Sequence, residues 1–202
     1  MIRNDAFKNC NSLTSATIPK GVNTIGARAF EGCTSLASIT LPEGVTTIES
    51  HAFYGCTSLA SVTLPVGVTT IGESAFSDCT SLAAITIPEG VTTIESLAFK
   101  GCTSLASISL PEGVTTIESH AFKGCTWLVT AVIPRSCATI HEKAFADCPH
   151  LSIAVAPSAL EVLHLQPGQR LRVPGGSMGN VFLNCPRLPR HDCITPYTPA
   201  AV

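Results

Sequence analysis

The chain has 202 residues, of which 45% are hydrophobic, only 5% aromatic and 13% charged, with a formal net charge of -2. That length allows one or two domains with a sizeable core. No apolar run reaches the ~18 residues of a membrane helix, so membrane insertion is not expected, and "MIRNDAFKNC" shows no apolar stretch of a secretory signal.

The charge is unevenly placed. Residues 3–28 carry Arg3, Lys8, Lys20 and Arg28 against Asp5, whereas from Glu31 to Glu118 nine acids face Lys100 alone. From Lys123 onward seven basic residues meet four acids. An acidic midsection argues against a phosphate-binding track, so no nucleic-acid partner is expected.

In chain order, the dominant feature is a 23-residue period. Ala-Phe stands at Ala6-Phe7, Ala29-Phe30, Ala52-Phe53, Ala75-Phe76, Ala98-Phe99, Ala121-Phe122 and Ala144-Phe145. Cysteine keeps the same step at Cys10, Cys33, Cys56, Cys79, Cys102, Cys125 and Cys148, and proline at Pro19, Pro42, Pro65, Pro88, Pro111, Pro134 and Pro157.

One unit reads "LASITLPEGVTTIESHAFYGCTS" from Leu36. Leu36, Ile39 and Leu41 mark the inward face of a short strand, which Pro42 ends because it has no N–H for a ladder. Gly44 is expected in a turn that uses its conformational freedom. "VTTI" predicts a second short strand with Val45 and Ile48 inward. "ESHAFYGC" predicts a corner, helical or extended, that buries Ala52, Phe53 and Cys56.

Eight buried apolar side chains cannot offset the entropy of ordering one such unit alone. Stacked copies can, because each covers its neighbour and pairs strands with it, so the pattern predicts a β-rich solenoid with short parallel strands.

The letters "L..I.LP.GV..I...AF.GC.S", held from Ile2 to about Pro157, resemble the BspA-like leucine-rich repeat, also called the Treponema pallidum-type repeat. The resemblance implies a curved right-handed superhelix with short helical or extended corners. It also implies a protein-binding role, often as a bacterial or protist surface antigen or adhesin, with no catalytic residues to carry over. Residues 1–157 then form seven repeats, the first truncated. Ile2 aligns with Ile25, which suggests a start in mid-repeat, as in a gene fragment or a truncated piece.

After Pro157 the pattern breaks. "VFLNCPRL" at Val181–Leu188 echoes "AFADCPHL" at Ala144–Leu151, so 158–188 is expected to be a degenerate repeat with an inserted loop, and 189–202 a Pro-rich tail.

Suggestive side chains divide between chemistry and scaffold. Glu49-Ser50-His51 and Glu118-Ser119-His120 carry the letters of a catalytic triad, but three consecutive residues rarely converge. Other repeats put Gly26-Ala27-Arg28, Gly72-Glu73-Ser74, Glu95-Ser96-Leu97 and His141-Glu142-Lys143 there, so a solvent-facing corner is expected. Seven periodic cysteines have parallel side-chain vectors, which disfavours bridges. Their spacing is not that of zinc ligands, and no cofactor or metal is expected. Only Cys185 and Cys193 are plausible bridge partners. A free-thiol ladder favours a reducing, cytoplasmic setting, whereas the family resemblance allows the cell surface. Thr40, Thr63 and Thr86, with the Thr-Thr pairs from Thr46-Thr47 to Thr115-Thr116, form rows that also suit binding to ice or another regular surface.

The expected function is a non-enzymatic protein-binding scaffold acting through the variable letters. Those singled out are Glu43, Glu49, His51, Tyr54, Glu89, Glu95, Lys100, Glu112, Glu118, His120, Lys123 and Trp127, and the acid among them suits a partner with a basic patch. Two alternatives stand beside it, a hydrolase using the inserted loop around His164 and Ser177, and a repeat fragment with no independent role.

Overall fold

The computed structural model describes residues 1–134, 136–151, 153–154 and 183–185, and over these the chain is a parallel β-solenoid without helix. Its strands are two or three residues long. In chain order they are β1 (Ser15–Thr17), β2 (Thr24–Ile25), β3 (Ser38–Thr40), β4 (Thr47–Ile48), β5 (Ser61–Val62) and β6 (Thr70–Ile71). There follow β7 (Thr93–Ile94), β8 (Ser107–Ser109), β9 (Thr116–Ile117), β10 (Thr130–Val132), β11 (Thr139–Ile140) and β12 (Ile153–Ala154).

The repeat period is also the pairing register. In the first-strand column Ser15 lies against Ser38 and Ala16 against Ile39, then Ser38 against Ser61 and Ile39 against Val62. In the second-strand column Ile25 pairs with Ile48 and Ile48 with Ile71, all parallel. An isolated bridge from Ser61 to Ala84 extends the first column by one rung, and the column resumes as a separate sheet of β8, β10 and β12. Alternation along each strand sorts the side chains, so Ile39 is buried while Ser38 and Thr40 face outward.

After each proline a tight turn closes, with the N–H of Val45 bonded to the Pro42 carbonyl at 3.1 Å and that of Val114 to Pro111 at 3.0 Å. The turn glycine differs from rung to rung, and at Gly21 it takes the positive φ expected of this position, at +88°. Gly44 is not among the residues of positive φ. In the same turn two rungs on from Pro65, at Gly113, a Cβ would stand 2.6 Å from the Glu89 carbonyl oxygen of the preceding rung. Close stacking therefore excludes a side chain at Gly113, whereas at Gly44 a Cβ would meet only the Val22 carbonyl oxygen at an ordinary 3.6 Å.

The predicted corner resolves into a run of turns with two bonding directions. The N–H groups of His51, Phe53 and Gly55 reach forward to the carbonyls of Glu73, Ala75 and Ser77 at 2.8, 2.8 and 2.9 Å. The intervening N–H groups of Ala52, Tyr54 and Cys56 bond backward to Glu49, His51 and Phe53. This alternation brings two residues per corner into the left-handed region, His51 (φ +58°) and Gly55 (φ +69°) in this copy.

Inside the corner Phe7, Phe30, Phe53, Phe76, Phe99, Phe122 and Phe145 form one stack, with centroids 5.0–5.6 Å apart and planes within 12° of parallel. Beside it runs the thiol ladder. From Cys33 to Cys148 each of its S–H groups donates to a phenylalanine carbonyl one rung back, as from Cys56 to Phe30 at 3.1 Å and from Cys125 to Phe99 at 3.2 Å.

The segment Leu183–Cys185 seats on the last of these corners. Asp147 N–H donates to the Leu183 carbonyl at 2.7 Å, Asn184 Nδ2 to Asp147 Oδ1 at 2.6 Å, and Cys185 Sγ to the Phe145 carbonyl at 3.0 Å. Cys185, one of the two cysteines for which a bridge was left open, is a free, buried thiol in the place of a ladder cysteine. Cys193, Arg135, His164, Ser177, the inserted loop and the Pro-rich tail lie outside the described residues.

Candidate functional site

Three surfaces carry the variable letters. The edge after the prolines presents Glu43, Glu89 and Glu112, all exposed, with Val66 at 84% exposure among them.

The corner ridge is the second surface, and it is more tightly built than a solvated corner. Glu49, Ser50 and His51 are half-buried, as are Glu118, Ser119 and His120. Glu49 is committed, since its Oε2 accepts from the N–H of Ala27 at 2.9 Å, a donor that Asn4 Oδ1 shares at 3.0 Å. Where this first corner letter is glycine it is buried, and a Cβ on Gly72 would stand 2.7 Å from the Ser50 nitrogen. The expectation of a freely variable, solvent-facing triplet is corrected on this point, because the chain of the preceding rung passes directly beneath it.

Among the described residues no nucleophile–base hydrogen bond joins Ser50 to His51 or Ser119 to His120. No group of three or more His, Cys, Asp or Glu residues there is arranged to hold a metal ion.

Carboxylates gather in the middle of the ridge. Ile94 pairs with Ile117 across β7 and β9, which sets Glu95 beside Glu118. Partial burial first, then Glu118 and Glu73, hold the Glu95 carboxyl above its ordinary range. Glu118 also meets His141, Oε2 to Nε2, at 3.5 Å. Toward the C-terminal side the sign changes. Burial, then Lys123 and Lys143, push His120 toward its neutral form, with Lys100 adding to the effect. Lys123 itself lies 3.6 Å from Asp147.

Tyr54 stands against Asp78, whose charge is the main reason that its phenol is held above the usual range. Its ring lies 5.8 Å from that of His51.

The third surface is the outward face of the first-strand column. Trp127 rises from it at 65% exposure, stacked on His150 of the next rung with centroids 5.5 Å apart. Of the two readings open to this residue, binding anchor or packing over a neighbour, the contact with His150 is the packing. On the second-strand side Thr46, Thr69 and Thr115 are exposed. Their hydroxyls already donate to the preceding rung, at 3.3 Å to Asn23, 3.5 Å to Thr46 and 3.2 Å to Thr92.

The left-handed corner positions escaped the reading of the sequence, although a signal was present. The column Asn9, Gly32, Gly55, Asp78, Gly101, Gly124 and Asp147 contains only the three residue types that accept positive φ most readily. Asp5, Arg28, His51, Ser74, Leu97, His120 and Lys143 occupy the other left-handed position and give no such hint.

Comparison with known proteins adds the following. A profile described as the BspA type leucine rich repeat region matches six copies, over residues 1–125 and 69–165. No curated protein matches the chain. Among solved structures it is similar to a leucine-rich repeat protein from Bacteroides ovatus, with 33% identity and a TM-score of 0.67 over 73% of this chain and 39% of that one. A leucine-rich repeat protein from Eubacterium ventriosum is 31% identical, with a TM-score of 0.67 over 75% and 41% of the two chains. The T. pallidum leucine rich repeat protein is 31% identical, with a TM-score of 0.53 over 77% and 61%. The chain thus spans about two fifths of the length of the first two.

Proposed function

Since the chain belongs to the BspA-type leucine-rich-repeat family, we propose that it is a non-enzymatic scaffold that binds another protein through its corner ridge and post-proline edge. The observation that carries this reading is the placing of Glu73, Glu95 and Glu118 on three successive rungs of the ridge, where burial first and then the two neighbouring carboxylates hold the Glu95 carboxyl up. Like charges side by side on a parallel ladder are unfavourable in the free protein. A partner with a basic patch relieves that repulsion, so binding recovers energy that folding left stored.

Glu43, Glu89 and Glu112 extend the acidic field along the neighbouring edge, and Glu49, His51, Tyr54, Lys100, His120, Lys123 and Trp127 supply the contacts that distinguish one partner from another. The partner is a protein and no nucleic acid, because an acidic ridge repels phosphate.

The test is capture of protein partners on the immobilised chain at low and high salt, repeated with Glu89→Lys plus Glu112→Lys and with Glu95→Gln plus Glu118→Gln. Capture that weakens with salt and with either double variant supports the reading. Capture indifferent to both salt and charge would overturn it.

A further inference from the structure

Charge is absent from one whole face of the solenoid. Residues 34–41, 57–64, 80–87, 103–110 and 126–133 contain no Asp, Glu, Lys, Arg or His, and they include the strands of the first column from β3 to β10. The outward letters are small, Ser, Ala and Thr, and they repeat with the register of the ladder. The result is a floor of hydroxyls and methyls, with paired rungs ~4.8 Å apart. The hydroxyls of Ser61, Ser81, Ser104 and Ser107 have no partner among the described residues.

At the C-terminal end of this floor stands a wall. Trp127 replaces the serine of the four preceding rungs, and Val129 replaces their alanine at 40% exposure. His150 covers one face of the indole. The other face is turned toward the preceding rung, where position 104 is a serine too small to cover it.

A large aromatic ring with a free face, beside unpaired hydroxyls on a floor without Asp, Glu, Lys or Arg, fits an uncharged ligand that offers C–H faces and hydroxyl groups together. A peptide from a basic protein finds no counter-charge here, and a purely apolar partner leaves the serines unpaired at a cost of ~1–3 kcal/mol each where they are buried. We propose that this face binds an extended, neutral, β-linked glycan chain that lies across the floor in front of the Trp127 and Val129 wall, one pyranose ring stacked on the indole and the hydroxyls of the chain meeting Ser104 and Ser107 of the preceding rung. This site is separate from the acidic ridge and does not depend on it.

The chain has a single tryptophan, so its fluorescence reports this site alone. Cellohexaose and chitohexaose, titrated separately into the full chain, are expected to shift the emission saturably with at least one of the two, and with an affinity indifferent to salt. By calorimetry, Trp127→Ser, which restores the residue of the earlier rungs, is expected to weaken binding about tenfold or more. Ser104→Phe, which keeps the indole but fills the space before it, should do the same. Glu89→Lys plus Glu112→Lys should leave it unchanged. The proposal is overturned if neither oligosaccharide gives a signal, if Trp127→Ser binds as well as the parent, or if affinity falls with salt. It is equally overturned if Trp127→Ser abolishes capture of a protein while both glycans remain silent.

Discussion

His51 and Gly55 stand four residues apart in one corner, and both hold the left-handed backbone, at φ +58° and +69°. The pair recurs around the solenoid as Leu97 with Gly101 and His120 with Gly124. It lets successive N–H groups point alternately to the next rung and back into their own, which knits each corner to its neighbour.

Substitution at Gly55 isolates the conformational part of this arrangement. A Cβ there meets nothing nearer than the Gly32 backbone at 3.9 Å, an ordinary contact. Gly55→Ala should therefore cost about 1–2 kcal/mol from backbone strain alone, and Gly55→Asn clearly less. Gly101→Ala should cost more than Gly55→Ala, because its Cβ also lands on the Asp78 carboxylate. Urea denaturation of the three variants gives the order directly.

The aromatic stack makes a second prediction from position. Phe76 lies between Phe53 and Phe99, at 5.2 and 5.6 Å, and is fully buried, whereas Phe7 ends the stack at 38% exposure. Phe76→Ala should cost about 3–5 kcal/mol, by lost burial and a cavity that the stiff stack cannot close. Phe7→Ala should cost markedly less. Equal losses in thermal unfolding would show that the rungs do not share one continuous core.

The thiol ladder sets the alkaline limit of the fold. Burial raises Cys56 and Cys125 to about 12 and Cys137 to about 11, and pushes Cys79 and Cys102 well up. In the unfolded chain these thiols ionise at ordinary values near pH 8.5. Above that pH the unfolded state binds fewer protons than the folded one, so stability falls as pH rises toward 11–12. Each such thiol contributes a slope of about 1.4 kcal/mol per pH unit, and Cys56→Ala should reduce the slope by one thiol's share. In the same state, among the described cysteines, Cys10 alone is exposed and should react promptly with a disulfide reagent, the rest only on unfolding.

Glu95 responds in the acid range. Its carboxyl is raised by burial and by Glu118 and Glu73, so the folded state is penalised once these groups ionise. Glu95→Gln should stabilise the free chain at neutral pH by a few tenths of a kcal/mol, after allowance for solvent screening. The gain should shrink with added salt and vanish at low pH, once the Glu95 carboxyl is protonated. A variant that destabilises the free chain at neutral pH would mean that Glu95 makes a contact worth more than the repulsion.

The periodic letters show how far the sequence reaches. Ile39, Val45, Ile48, Ala52, Phe53 and Cys56 are buried as the pattern predicts, because a 23-residue step leaves each side chain only its own copy to stack upon. Parallel pairing, the phenylalanine column and the free cysteines follow from the same constraint. The corner triplet shows where that reach stops. Glu49 reads as solvent-exposed, yet its carboxylate closes the Ala27 N–H of the rung before.

The period alone determined that this chain is a stacked leucine-rich solenoid, since a repeating unit too small to fold alone has no other way to bury its apolar face. The tertiary structure decided the two left-handed residues in each corner, the commitment of Glu49, the crowding of Glu95 and the open face of Trp127. Those depend on which backbone atoms the neighbouring rung brings within hydrogen-bond or contact distance, and a one-dimensional pattern carries no record of such distances.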